Sequence, residues 1–214
     1  WKIATQGTNC LVYSVHHNPP DTNMRIQSLK RQIESGKGYL KSLYYLVREI
    51  SRLSLAFCIK NSHKFILLSP AFIPVAQKFS RVKSAEKFLS IPNPIPLSVS
   101  EEGFPKEKEI IYVGRIEYNQ KRTDRVVDIW RELEPRYPDW KLTIVGDGDD
   151  REDLQNRIDE YGLKRVEITG FVNPINYYKR SSILLLTSEY EGFGLVVAEA
   201  MSQSVLPVVY NSFE

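Results

Sequence analysis

Cysteine is scarce in this sequence, which contains only Cys10 and Cys58 among 214 residues. Two cysteines make no disulfide framework and match no metal-ligand spacing, so we expect a reducing compartment. Long apolar runs are also absent, since runs such as residues 183–186 fall far below the roughly 18 residues that a membrane-spanning helix requires. The sequence begins at Trp1, with neither a methionine nor a signal-peptide pattern, and we expect it to be part of a longer protein.

Internal repeats and low-complexity tracts are absent too, while 42% of the residues are hydrophobic and 26% are charged. This composition excludes a disordered, collagen-like or coiled-coil chain and is typical of a folded globular protein. Residues 1–100 contain 14 basic and 4 acidic side chains, whereas residues 101–214 contain 15 and 22. The change of charge and a proline-rich segment predict a linker over 94–107 between two domains.

The second half alternates short β-rich apolar runs with helical patterns, which is typical of a parallel sheet with crossover helices. Helices are expected around 126–133, 154–161 and 194–203, where apolar residues recur at helical spacing. The expected strands are 109–113, 141–145, 166–169, 183–187 and 205–210.

The first half follows the same pattern, with strands expected at 10–15, 64–68 and 87–91 and a long helix over 39–60. One face of this helix is apolar and is expected to meet the core: Leu40, Leu43, Val47, Ile50 and Phe57. The opposite face is basic: Lys37, Lys41, Arg48 and Arg52. A basic face can meet anionic lipid headgroups, although a solvated surface is the usual explanation. Nucleic acid is disfavoured because no aromatic side chains are interleaved with the basic ones.

The strongest candidate site lies at residues 188–201, where a predicted strand turns into a helix, the position at which open α/β sheets bind ligands. Gly192 and Gly194 allow a ligand to approach the backbone, and the following helix offers free N–H groups to an anion. Glu191 and Glu199 would be about 12 Å apart in a helix, too far for a glycosidase pair acting at one carbon. They can bind two parts of one elongated ligand, or serve as a helix-start acid and a solvated acid.

Two further groups of candidate ligand-binding residues lie at the carboxyl ends of predicted strands. Arg115 and Lys121 combine a planar guanidinium with a compact ammonium, which suits a diphosphate, although two solvated surface cations are the plainer alternative. His16 and His17 end the first strand, where one of them can hydrogen-bond a substrate hydroxyl or phosphate, or both can be structural.

The turn at 146–150 invites two interpretations that the residues do not support. Arg151 stands where a dinucleotide fingerprint requires its third glycine. The aspartates of one turn do not make a metal site, because a hard cation needs about six oxygen ligands. A tight turn with an acidic helix start is the simplest interpretation, and it is compatible with a backbone wall for a nucleotide base.

The second half resembles the retaining, nucleotide-sugar-dependent glycosyltransferases of glycosyltransferase group 1, or family four, through several motifs in the same order: Gly114 and Arg115 with Lys121, then 140–148, 168–172, 188–201 and 207–209. The resemblance implies an α/β fold of the GT-B type, with two Rossmann-like domains that have parallel sheets. Residues 1–93 would be part of an incomplete, acceptor-side N-terminal domain. Residues 108–214 would be the nucleotide-sugar-binding domain without its final helix.

The resemblance also implies roles for individual residues. Arg115 and Lys121 would neutralise the donor diphosphate, Glu191 would contact the donor sugar, and Glu199 would bind the ribose hydroxyls. His16, or its neighbour, would face the sugar from the first domain. The other implied donor contacts lie beside the sugar or the base: Gly114, Gly146, Val172, Gly192, Phe193, Gly194 and Leu195. No metal is implied, and no cofactor beyond the donor itself, a UDP- or GDP-linked sugar.

The implied reaction is transfer of a hexosyl group to a glycan or lipid-linked acceptor in bacterial capsule, lipopolysaccharide or exopolysaccharide biosynthesis. It would take place in the cytoplasm, with the basic helix at the inner face of the plasma membrane. A non-catalytic GT-B scaffold and a nucleotide-sugar epimerase stay open as alternatives, whereas a nicotinamide-dependent oxidoreductase is disfavoured by the missing glycine. The sequence departs from the family at one position near the site: Arg122 follows Lys121, where the family usually has glycine.

Overall fold

The computed structural model describes residues 11–95 and 105–211. The chain divides into two compact units, residues 1–93 and 94–214. Each unit contains a parallel β-sheet with helices, which confirms the predicted α/β class. Most of the predicted linker, residues 96–104, lies outside the described residues. No helix in the described ranges is both long and apolar enough to cross a membrane.

Unit 1 contains a parallel sheet in the order β1-β2-β3. Its elements are β1 (Tyr13–His16), α1 (Met24–Glu34), α2 (Lys41–Asn61), β2 (Lys64–Leu67), α3 (Phe72–Ser80) and β3 (Phe88–Ser90). The three expected strands are present, although Cys10, the first residue of the predicted strand 10–15, lies outside the described residues. Sequence analysis missed α1, which is mostly polar and begins where the Asn23 side chain accepts a hydrogen bond from the Ile26 N–H at 2.9 Å. It also missed α3.

Helix α2 does not bury the apolar face that its sequence predicts. Leu43, Ile50 and Phe57 are 45%, 57% and 51% exposed. The helix instead buries Leu55, Ala56 and Ile59, all near its carboxyl end. Tyr44 and Val47, earlier in the helix, pack against the same core. The predicted face was therefore right at Val47, but the face that packs on the core is rotated around the helix axis from the predicted one.

The predicted basic face of α2 is solvated except at Arg52. The Arg48 guanidinium lies 5.3 Å from the centre of the Phe79 ring. The Arg52 side chain is only 15% exposed and pairs with Glu49 at 2.6 Å. Lys37, Lys41 and Arg48 are exposed, so contact of this face with a membrane stays a prediction.

Unit 2 contains five parallel strands in the order β6-β5-β4-β7-β8. Its elements are β4 (Glu107–Val113), α4 (Thr123–Leu133), β5 (Lys141–Val145), α5 (Arg151–Glu160), β6 (Val166–Gly170), α6 (Ile175–Arg180), β7 (Ser181–Leu186), α7 (Leu195–Ser202) and β8 (Leu206–Val209). The five strands expected in this half are confirmed, with ends that shift by two residues or fewer. Helix α6 was missed because six residues are too few to show a helical period.

The sheet of unit 2 is covered on both faces, as parallel sheets usually are. Ile110 and Tyr112 of β4 point into a core with Trp130 of α4. Ile111 points to the other face, into a core with Ala200 of α7. The strand order proceeds from β4 to one edge and then returns to β7, so β4 and β7 form the topological switch point at which such sheets bind ligands.

The carboxyl ends of β4 and β5 approach each other at backbone distance. The Gly114 N–H donates to the Val145 carbonyl at 3.0 Å, and the Ile116 N–H donates to the Asp147 carbonyl at 2.9 Å. A Cβ atom on Gly146 would lie 1.8 Å from the Gly114 carbonyl oxygen. The approach therefore requires glycine at position 146.

Glu109 is a fully buried acid on β4, near the amino end of the sheet. Its carboxylate accepts two hydrogen bonds from Arg180, at 2.8 and 2.9 Å, and one each from Thr143 and Ser181. Burial raises the pKa of Glu109, but these hydrogen bonds and the Arg180 charge outweigh burial and hold the pKa below its usual value.

Replacing Arg180 with methionine should lower the free energy of unfolding by about 2 kcal/mol at pH 7, because the buried Glu109 carboxylate loses its charged partner. A depressed native pKa stabilises the fold above the unfolded pKa of about 4.3, and this contribution is lost as the pH falls. The difference between wild type and variant should therefore shrink in urea unfolding near pH 4. Lys141→Met is the matched control, since that ammonium is 42% exposed and 3.7 Å from Glu109; equal losses in both variants would contradict the prediction.

Replacing Gly146 with alanine should destabilise unit 2 by about 3 kcal/mol, because the new methyl group forces two strand ends apart. Gly162→Ala is the control: it has open space around it and a φ of +64°, so it carries only backbone strain of about 1 kcal/mol. Urea unfolding measures both values. Equal losses of unfolding free energy in the two variants would contradict the prediction, because they would show that the strand ends separate at no further cost.

Candidate functional site

A cavity of about 690 Å³ opens at the carboxyl ends of β4, β5 and β6. Four of the predicted donor contacts line it, namely Gly114, Arg115, Gly146 and Val172. The two glycines present main-chain atoms, and the Phe171 ring is 92% exposed beside them. A backbone wall next to an aromatic ring suits a flat heterocycle. The full lining is Val113, Gly114, Arg115, Val145, Gly146, Asp147, Phe171, Val172, Asn173 and Pro174.

Arg115 lies exposed at the edge of this cavity. Its carbonyl accepts a hydrogen bond from the buried Tyr112 phenol at 2.8 Å, which fixes the loop. Burial, followed by the charges of Glu191 and Glu117, raises the pKa of Tyr112, so the phenol stays a hydrogen-bond donor at neutral pH. Within residues 11–95 and 105–211, the Arg115 guanidinium makes no hydrogen bond or ion pair. It is therefore available to an anionic ligand.

Lys121 and Glu191 meet, although 70 residues separate them in the sequence. The Lys121 ammonium lies 2.7 Å from Glu191 Oε1, and the two side chains are 20% and 10% exposed. The Ser188 hydroxyl donates to the same oxygen at 2.7 Å. The structure thus brings the cation of the β4 loop to the acid of the β7 loop, at the switch point of the sheet.

The loop that carries Lys121 is organised by Glu117, which sequence analysis missed. The buried Glu117 carboxylate accepts hydrogen bonds from the backbone N–H groups of Gln120, at 2.9 and 3.0 Å, and of Lys121, at 3.4 Å. The Thr123 hydroxyl accepts a bond from the Glu117 N–H at 3.2 Å. The sequence carries no signal for this role, because an acid four residues after a strand end is common in loops.

The segment that follows Glu191 leads into α7. Gly194 precedes the helix with a φ of +67°, the left-handed conformation that glycine adopts without strain. The helix begins at Leu195, so Gly192 and Phe193 lie in the preceding loop and the positive end of the helix follows them. This end of a helix favours an anion such as a phosphate.

Glu199, on α7, is held by a different group from Glu191. The phenol of Tyr178, a fully buried residue of α6, donates to Glu199 Oε2 at 2.9 Å. Burial and the Glu199 charge raise the pKa of Tyr178, so it remains a donor. Sequence analysis missed Tyr178 because its helix was itself missed. The two glutamates are therefore oriented independently.

His16 is the last residue of β1 in unit 1 and lies on the covered face of that sheet. Its Nε2 atom is buried and has no hydrogen-bond partner among the described residues. Burial, with the neighbouring His17, lowers the pKa of His16, so its neutral form dominates at pH 7. The ring lines a cavity of about 570 Å³ with Ser14 and Ser51, whereas His17 is exposed. The role of His16 toward a sugar stays a prediction.

The turn after β5 is closed by its own side chains. Asp147 accepts hydrogen bonds from the Gly148 N–H and from the Arg151 guanidinium, both at 2.8 Å. Arg151 thus has a structural partner at the position where a dinucleotide fingerprint has glycine. Across the described part of the chain, no group of three or more His, Cys, Asp or Glu side chains could hold a metal ion.

Several curated relatives are bacterial glycosyltransferases. The amylovoran biosynthesis glycosyltransferase AmsD of Erwinia amylovora is 34% identical over 108 residues, which are 50% of this chain and 30% of that protein. The lipopolysaccharide 1,6-galactosyltransferase of Salmonella typhimurium is 31% identical over 138 residues, 60% of this chain and 38% of that protein. The chain thus spans about a third of the length of these relatives.

Solved structures share the fold. TarM of S. aureus matches 96% of this chain and 38% of its own chain with a TM-score of 0.71 at 21% identity. The lipopolysaccharide outer core galactosyltransferase WaaB matches 73% of this chain and 45% of its own, with a TM-score of 0.58 at 27% identity. These matches confirm the predicted GT-B type of fold.

The family model described as glycosyl transferases group 1 matches residues 97–214, more than half of the chain. The matched segment contains the whole lining of the 690 Å³ cavity and both sides of the contact between Lys121 and Glu191. The chain therefore belongs to the group 1 glycosyltransferase family.

Proposed function

We propose that this protein is a retaining glycosyltransferase that moves a sugar from a UDP- or GDP-linked donor to a glycan or lipid-linked acceptor. The observation that carries the proposal is the contact between Lys121 and Glu191 at the switch point, next to a cavity with Arg115 at its edge. A nucleotide sugar contains a flat base, ribose hydroxyls, a diphosphate and sugar hydroxyls. The cavity suits the base, the two cations suit the diphosphate, and Glu191 and Glu199 suit the hydroxyls.

The donor would lie along the carboxyl edge of the sheet. The base would enter the cavity beside the main chain of Gly114 and Gly146, near Val172. Glu199 would bind the ribose hydroxyls through Oε1, which makes no hydrogen bond with other described residues. The diphosphate would lie between Arg115 and the first turn of α7. TarM and the pneumococcal O-GlcNAc transferase GtfA were solved in complex with UDP, which favours UDP as the first nucleotide to test.

Catalysis would depend mainly on electrostatic stabilisation of the leaving diphosphate. The bond between the anomeric carbon and the diphosphate oxygen breaks, and the acceptor oxygen bonds to the same face of that carbon. The acceptor's proton passes to a diphosphate oxygen. Arg115 and Lys121 would stabilise the negative charge that develops, and Glu191 would hold the sugar. His16 is proposed to contact the sugar from unit 1.

The names of the curated relatives support the proposed class of acceptor. Their names specify amylovoran biosynthesis, lipopolysaccharide galactosyl transfer and poly(glycerol-phosphate) glucosyl transfer. We therefore propose a role in assembling a bacterial surface polysaccharide. A location in the cytoplasm and at the inner face of the plasma membrane stays a prediction.

Nucleoside diphosphates should stabilise the protein against heat. UDP or GDP at 100 times its dissociation constant should add about 2.7 kcal/mol to the free energy of unfolding, whereas NAD should add nothing. Lys121→Ala and Glu199→Ala should each remove most of this gain, because they delete a diphosphate contact and a ribose contact. Differential scanning fluorimetry measures the shifts.

Lys164→Ala and Glu160→Ala are matched controls, since both side chains are exposed and lie outside the cavity and the contact between Lys121 and Glu191. They should keep the full shift. Stabilisation by NAD, or a melting-temperature shift with UDP or GDP that persists in both site variants, would rule out the proposed donor site. Release of free nucleotide only in the presence of an oligosaccharide acceptor would separate a transferase from an epimerase or a scaffold.

Retention of the anomeric configuration of the sugar should be visible in the product. With an α-linked UDP-sugar and an oligosaccharide acceptor, the new glycosidic bond should also be α, because the acceptor attacks from the face that the diphosphate leaves. The coupling constant of the anomeric proton in NMR distinguishes the two outcomes. A β-linked product would rule out the retaining mechanism.

A further inference from the structure

Glu189 belongs to the segment after β7, yet the proposed donor site assigns it no role. Its Oε1 atom accepts hydrogen bonds from Arg122 Nη1 at 2.8 Å and from Arg125 Nη2 at 2.6 Å. The three side chains are between 22% and 28% exposed, so solvent shields these contacts only in part. Arg122 also binds Asp124 through Nε and Nη2, at distances from 2.7 to 3.2 Å. We call this group of two cations and two anions the Arg–Glu cluster: Arg122, Asp124, Arg125 and Glu189.

Arg122 has an unusual backbone conformation. Its φ of 51° and ψ of 48° lie in the left-handed region, where the Cβ atom of a residue other than glycine is strained against its own backbone. Glycine would adopt this conformation without strain. The contacts of the Arg122 side chain in the Arg–Glu cluster offset the strain that glycine would not have.

The backbone of the same two segments is joined directly beside the cluster. The Thr187 hydroxyl donates to the Arg122 carbonyl at 2.9 Å and lies 3.1 Å from the Lys121 carbonyl. The Glu189 N–H donates to the Gln120 carbonyl at 2.8 Å. The Arg125 guanidinium lies 4.3 Å from the centre of the Tyr210 ring, which anchors it to the segment after β8.

We infer that Glu189 is a positioning residue for Lys121: by binding Arg122 and Arg125, it fixes the backbone from which the Lys121 ammonium reaches the donor diphosphate. The inference rests on the proposed function, because it assigns Lys121 to that diphosphate. Lys121 must exchange Glu191 for the phosphate oxygens when the donor binds. The Arg–Glu cluster contains neither of these two residues, so its contacts survive the exchange and keep the loop in place.

Charge balance supports the same assignment. Asp124 and Glu189 neutralise the two arginines of the cluster, so those guanidiniums do not compete with Lys121 for an anion. If Glu189 were lost, Arg122 would have one carboxylate partner and a strained backbone. The loop could then relax to a right-handed conformation that turns Lys121 away.

The test compares four proteins: wild type, Glu189→Ala, Arg122→Gly, and the double variant with both changes. Isothermal titration calorimetry measures the dissociation constants for UDP and GDP at a temperature where all four are folded. We expect Glu189→Ala to bind the preferred nucleotide about tenfold more weakly, because small displacements of a charged contact are costly. Arg122→Gly should stay within about twofold, since glycine takes the left-handed conformation without strain.

The double variant separates positioning from direct contact. If Glu189 acts through Arg122, glycine at 122 should restore most of the binding that Glu189→Ala loses. Equal weakness of the single and the double variant would mean that the effect of Glu189 does not pass through Arg122 and would overturn the inference. Unchanged binding in Glu189→Ala, with a lower melting temperature, would overturn it too, because it would show a merely structural role.

A measurement without nucleotide distinguishes failure of the inference from failure of the proposed function. Amide hydrogen exchange at residues 120–122 should accelerate in Glu189→Ala, while exchange in α5 stays unchanged. If wild type binds neither UDP nor GDP but this acceleration occurs, the proposed donor site fails while the loop anchoring holds. If exchange at 120–122 does not change, the anchoring fails whatever the nucleotide result.

Discussion

The parallel pairing of β4 with β7 is the constraint on which the rest of unit 2 depends. Ile110 pairs with Ile183, and Ile111 pairs with Leu184, so both strands end at the same edge of the sheet. Their crossover helices pack on opposite faces, which leaves a crevice between the two loops. The pairing alone explains how Lys121 and Glu191 meet at 2.7 Å across 70 residues of sequence.

The two ends of this sheet handle charge in different ways. At the amino end, the Glu109 carboxylate is buried and fully satisfied by one arginine and two hydroxyl groups, so it serves the fold alone. At the carboxyl end, the proposed donor contacts Lys121 and Glu191 are partly exposed, and the Arg115 guanidinium has no hydrogen-bond or ion-pair partner in the described ranges. A group that must bind a ligand cannot be satisfied as completely by the protein, because ligand binding would then cost those contacts.

Strands were predictable from sequence because each is a short, nearly continuous apolar run, and β5 begins and ends where the run at 141–145 does. The glycine-rich segment before α7 was predictable for a similar reason, since its spacing is local. The buried face of helix α2 was not, because apolar residues lie on more than one side of it, and only the fold decides that Tyr44 and Leu55, rather than Leu43, face the core. Tyr178 and Glu189 were missed because each acts on a residue that only the fold brings near. Glu117 was missed although its partners are local, because an acid in a loop is no signal for bonds to the backbone N–H groups that follow it.

The cavity beside Arg115 has one wall that substitution cannot easily change. Gly114 and Gly146 present main-chain atoms there, and the 1.8 Å separation calculated for a Cβ at 146 excludes any side chain. Phe171, Val172 and Asn173 line the same cavity with side chains. Evolution can therefore reshape this cavity for a different ligand through the positions that present side chains, whereas the part formed by Gly146 stays the same for every ligand.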